Sequence, residues 1–163
     1  MRGVQVGCVL ACSVPGAAAA QVVMGCDPVP PVTALIEPWE ETAAALAEGA
    51  VRLAVLEGEE GARRLLVLTL PPPGDAPEAV PERRCRIVAE GGLGFADLDL
   101  GGLEAIEDEA AATLTARLPG LGFVPESTEL LPLTLVLTFG VADGALVAAI
   151  ERAGEPGSGG EGP

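Results

Sequence analysis

The chain has 163 residues, of which 49% are hydrophobic, so it is too apolar for a disordered polymer and long enough to bury one core. Its formal charge is −15; the nine basic residues are all arginine, and lysine, asparagine, histidine and tyrosine are absent. This balance excludes nucleic acid as a partner, because phosphate-backbone binding needs a basic face and single-strand binding needs stacking rings, and aromatics make up 2%.

Residues 1–20 read as a signal peptide. Arg2 supplies the positive start, residues 4–14 are mostly apolar, Pro15 and Gly16 break the run, and Ala17 to Ala20 offer small residues for cleavage before Gln21. Within it, Val9-Leu10-Ala11-Cys12 resembles the lipobox of bacterial lipoproteins, which implies an alternative in which Cys12 carries a lipid anchor. The missing residue types are largely those with AT-rich codons, as a GC-rich bacterial genome would give. The expected location is therefore periplasmic or secreted. Removal of the leader takes Cys8 and Cys12 with it and leaves Cys26 and Cys85, an even pair predicted to form a disulfide. Such a bridge closes a loop of about 60 residues and contributes on the order of 4 kcal/mol in the chain-entropy picture. In a reducing compartment the same two residues would be buried thiols. Past the leader no run approaches the roughly 18 apolar residues of a membrane-spanning helix. Trp39, Phe95, Phe123 and Phe139 are too few for the two aromatic girdles of an outer-membrane barrel.

Residues 21–32 form a Pro-rich lead-in, and 33–153 are expected to make a single β domain. A short helix is predicted over 38–49, from Pro38 in the first turn, Glu40 and Glu41 at the positive end of the dipole, an alanine-rich interior and Gly49 as terminator. From Val51 the apolar period becomes two. Residues 51–55 and 64–70 read as a hairpin around Gly58-Glu59-Glu60-Gly61, and 84–90 as the next strand. Shorter strands follow over 94–100 and 103–106, and a half-buried strand over 113–118 is expected to stop at Pro119-Gly120. The last hairpin, 133–141 with 145–151, turns at Asp143-Gly144, which pairs Val141 with Leu146 and Phe139 with Ala148. It places Leu133, Leu135, Leu137, Phe139, Leu146, Ala148 and Ile150 on one face. Residues 154–163 are Gly, Glu, Pro and Ser and are expected to be disordered. About seven to eight short strands with at most one N-terminal helix make the fold class all-β, an antiparallel sandwich or a small barrel.

Catalytic chemistry has little to work with. Without histidine, lysine or tyrosine there is no imidazole base, Schiff-base amine or phenol acid, and no triad or Ser-Lys dyad can form. The protein is accordingly read as a non-catalytic module, without a cofactor, that acts on an unknown protein partner. Two alternatives stand beside this reading. One is a small barrel carrying an apolar ligand between its Leu, Val and Ala faces. The other is a carboxylate hydrolase, which needs two facing acids such as Asp97 and Glu104.

Three features invite a site. Asp97, Asp99 and Gly102 match positions one, three and six of a calcium loop, with Asp108 at position twelve. The match fails at Gly101 and Glu104, and an exposed strand with its acids in water accounts for the same residues, so no metal is expected. Five of the eight arginines beyond residue 20 cluster at Arg63, Arg64, Arg83, Arg84 and Arg86. They suit an acidic or phosphorylated partner, although local ion pairs with Glu57 and Glu90 explain them more simply. Trp39, at the start of the predicted helix, is expected to be buried in the core rather than to serve as a ligand platform.

Overall fold

The structure, a computed structural model, describes residues 21–71, 82–140 and 142–152, and for Gln21 and Val22 the backbone alone. The leader with Cys8 and Cys12, the lipobox reading and the 154–163 tail lie outside the described residues.

Among the described residues ten strands form two antiparallel sheets of five. They are β1 (Gln21–Gly25), β2 (Ala43–Leu46), β3 (Val51–Glu57), β4 (Arg63–Thr69), β5 (Arg84–Glu90), β6 (Asp97–Leu98), β7 (Glu104–Asp108), β8 (Thr113–Phe123), β9 (Leu130–Gly140) and β10 (Leu146–Arg152). The first sheet has the order β1-β5-β4-β3-β2. The second runs β10-β9-β8, with β6 and β7 sharing the far flank of β8. The fold is thus an all-β sandwich. Inward residues of both sheets meet in one core: Leu53, Leu65, Val67 and Val88 from the first, and Leu114, Leu118, Leu135 and Leu137 from the second, with Phe95 between them. Over most of their area the inward apolar faces of the two sheets pack against each other.

The predicted helix over 38–49 does not form. Ala43–Leu46 is a strand whose burial alternates, with Ala44 and Leu46 packed on the core, and it pairs Ala43 with Ala54 and Leu46 with Val51. A lone helix of this length is marginal in water, whereas the open edge of β3 offers a ladder of backbone partners, so tertiary pairing overrides alanine's propensity.

β8 runs through Pro119-Gly120, where the sequence suggested a stop, and continues to Phe123. Pro119 lacks an N–H, and the flank that this N–H would have served is the one where the neighbouring edge strand breaks. There Asp99 N donates to Pro119 O at 2.9 Å, and the chain leaves the ladder through the 3-10 turn Leu100–Gly102 before β7 resumes pairing at Arg117.

The final hairpin keeps the expected faces but in a register two residues away. Leu146 pairs with Phe139, and Ala148 with Leu137. A two-residue turn of the I′ type needs positive φ at both positions, and here only Gly144 adopts it (φ 64°). The loop therefore spans four residues, closed by Gly140 N to Ala145 O at 3.0 Å, with the Asp143 carboxylate accepting from Ala145 N at 2.8 Å. A shift of two leaves each side chain on its original face.

Candidate functional site

The edge of the first sheet carries a closed loop with an exposed indole at its tip. Ile36 N donates to Val55 O at 3.2 Å, and Val55 N donates to Thr42 O at 2.8 Å, so residues 37–41 leave the edge and return to the same residue of β3. The Thr42 hydroxyl closes the neck by donating to Ile36 O. Inside the loop Glu41 N donates to Pro38 O at 3.0 Å. All five loop residues are exposed, and Trp39, the one tryptophan of the chain, is 60% exposed. Glu37, Pro38, Trp39 and Glu40 line an open concavity. Trp39 is thus not the buried residue anticipated: with no helix to turn it inward, the loop points it at solvent. The signal was present in its neighbours, because an indole between Glu37, Pro38, Glu40 and Glu41 lacks any apolar period.

Contrary to expectation, the five arginines form no ion pair with a carboxylate among the described residues. Among the described residues the ion pairs are Arg117–Glu151 and Arg152–Glu90. The register of β3 and β4 sets Arg64 opposite Leu56, and its Nε donates to Leu93 O at 3.5 Å. Arg63 lies opposite Glu57, and its backbone also bridges to Phe95. Arg83 donates through Nη2 to Gly49 O at 2.9 Å and through Nη1 to Ala50 O at 3.3 Å. Arg84 and Arg86 reach across to the other sheet, donating to Asp143 O at 3.1 Å and Gly144 O at 3.2 Å. Arg83, Arg84 and Arg86 therefore gather at one end of the sandwich, held by neutral carbonyls. Arg63 and Arg64 lie apart from them, at the start of β4.

That end holds an apolar cleft of about 250 Å³, open between the sheets. Val51, Thr69 and Leu70 line one wall, and Leu114, Phe139 and Gly144 the other. On the side away from the arginines Glu107, Asp108 and Glu109 border a neighbouring hollow that shares Ala47 and Leu114 with the cleft.

The acids proposed for calcium are kept apart by β8. Asp97 sits opposite Leu121 and Asp108 opposite Thr113, eight residues along the strand and so roughly 27 Å. Asp99 and Asp108 spend an oxygen each on a local turn, accepting from Gly101 N and Ala111 N. Among the described residues no three metal-ligating side chains converge. Asp97 and Glu104 lie opposite Leu121 and Arg117, about 14 Å apart along the same flank, and do not face each other across a cleft.

Cys26 and Cys85 stand at disulfide distance, with S–S 2.03 Å and Cα–Cα 5.5 Å, one residue beyond the Gly25–Arg86 pair that ends the β1–β5 ladder. On the outer face of the second sheet Arg117 and Glu151 form a two-bonded ion pair across β9. The hydrogen bond from Arg117 holds the Glu151 carboxyl below its usual range, and the same bond raises Arg117 further. No described helix is long and apolar enough to cross a membrane.

The chain matches no protein-family model, no curated protein and no solved structure at significance.

Proposed function

We propose that this protein is an exported, non-catalytic binding module that captures a basic segment of a protein partner on the Trp39 loop. The observation that carries the reading is Trp39 itself, 60% exposed on a loop closed at its neck. Exposing a large apolar ring to water is unfavourable, and indole is the best aromatic face for a cation. Glu37, Glu40 and Glu41 surround the ring with negative charge, and a chain at −15 attracts cationic partners over several ångströms before contact. Export is supported by the leader-like first twenty residues and by two cysteines at disulfide distance, which suit an oxidising compartment.

The test uses Trp39 as its own reporter. An arginine-rich peptide titrated into the protein should change indole emission saturably, weaken as salt is raised, and lose its heat of binding in Trp39→Ala. Binding that survives Trp39→Ala, or no emission change at millimolar peptide, overturns the reading. Export is checked by intact mass from each cell fraction of an expressing bacterium. A chain starting at Gln21, with two thiols that alkylate only after reduction, is expected; retention of Met1 in the cytosol with free thiols contradicts it, and a lipid mass on Cys12 identifies the anchored form.

A further inference from the structure

We infer that the cleft at the Arg83–Arg84–Arg86 end of the sandwich is a binding site for a medium-chain anionic amphiphile, with its carboxylate on Arg84 and Thr69 and its tail between the sheets. This site is separate from the Trp39 loop and does not depend on it.

Three observations converge. First, Thr69 lines the cleft, is 6% exposed, and its hydroxyl has no hydrogen-bond partner among the described residues. A buried hydroxyl without a partner is costly, and an arriving acceptor would relieve it. Second, Thr69 is the cross-strand partner of Arg84. Directly opposed residues of an antiparallel pair share a face, with their Cβ atoms about 5 Å apart, so Arg84 leaves the sheet on the same face as the Thr69 hydroxyl before its guanidinium reaches Asp143 O. Third, Arg84 and its neighbours Arg83 and Arg86 donate to the neutral carbonyls of Asp143, Ala50, Gly49 and Gly144, and two of these residues, Ala50 and Gly144, line the cleft. Among the described residues these guanidinium groups therefore have no carboxylate against them.

The walls decide the rest of the ligand. Val51, Leu114 and Phe139 provide an apolar lining with no charge. The volume of about 250 Å³ holds roughly eight methylene-sized groups at about 30 Å³ each. Glu107, Asp108 and Glu109 on the opposite flank repel an anionic head and confine it to the arginine side.

The experiment is calorimetric titration of the full-length purified protein with octanoate, with octyltrimethylammonium as the cationic counterpart and butyrate as the short one. Octanoate should bind saturably with a Kd on the order of tens of micromolar, set by the methylenes it removes from water. Octyltrimethylammonium and butyrate should each bind at least about ten-fold more weakly. Arg84→Gln changes an exposed side chain and should weaken octanoate about five- to ten-fold, Ala50→Leu should block the cleft, and Trp39→Ala should change nothing. Equal binding of the two octyl compounds removes the anion specificity. Equal binding of butyrate and octanoate leaves a surface anion contact in place of a cleft. An unaltered Arg84→Gln, or no saturable heat up to millimolar octanoate, overturns the site altogether.

Discussion

Arg63 and Phe95 exchange both backbone hydrogen bonds, at 2.7 and 2.8 Å, and so splice the start of β4 to the segment that carries the chain into the second sheet. The splice also fixes the fully buried Phe95 ring between the two layers. It requires Gly94, whose φ of 125° is closed to L side chains and whose missing Cβ would sit 2.5 Å from Arg63 O. Gly94→Ala is therefore expected to cost about 2–4 kcal/mol and to lower the melting temperature by roughly 5–15 °C, read by circular dichroism. A melting temperature within a degree of the parent would show that the splice is not a point of rigidity.

Core and surface positions of the same sheet should separate cleanly. Leu135 is fully buried between the layers, and Leu135→Ala should lose about 3 kcal/mol in urea unfolding. Val147 is 63% exposed on β10, and Val147→Ala should change stability by less than about 0.5 kcal/mol. Comparable losses at the two sites would contradict the facing of β9 and β10.

Cys26 and Cys85 are 59 residues apart in sequence and clamp the outermost strand of the first sheet. The double variant Cys26→Ser, Cys85→Ser should lose about 2–4 kcal/mol, and hydrogen exchange should show β1 opening before the other strands. A parent protein whose melting temperature does not respond to reductant would place the stability elsewhere.

The Arg117–Glu151 pair carries a pH signature of fixed sign. Because the folded Glu151 carboxyl lies below its usual range, its contribution is complete above the unfolded carboxylate value of about 4.3 and is lost as pH falls through the folded one. Glu151→Gln should accordingly be less stable than the parent at pH 7, and the two should converge in strong acid. High salt should shrink the gap at pH 7, since both side chains are well exposed. A gap that widens on acidification would reverse the assignment.

The strands with a clear period of two were legible in the sequence: β3 as far as Val55, β4, the 113–118 part of β8 and β9 from Leu133 onward each bury every second residue. What was not legible depended on partners distant in sequence. The Ala43–Leu46 segment has helix-forming composition and becomes a strand because β3 has a free edge. Pro119 looks like a terminator, yet its missing N–H falls where the neighbouring edge already breaks. The 141–144 loop shows Asp-Gly, but the local dipeptide cannot report whether two or four residues will close the turn. The clustering of Arg83, Arg84 and Arg86 was visible, and that they meet an apolar cleft was not, because its walls come from β3, β4, β8 and β9. Trp39 was misplaced together with the helix that was expected to bury it.

β7 has all five residues exposed, three of them acidic, and pairs only with β8 among the described residues. Its outer rim is a row of backbone donors and acceptors beside carboxylates. Two copies meeting rim to rim about Ile106 would set Glu104 of each against Asp108 of the other, so like-charge repulsion opposes self-pairing along this edge. A foreign strand adding to this rim would have to bring cationic side chains to match the carboxylates, which makes β7 a selective edge and not an open one.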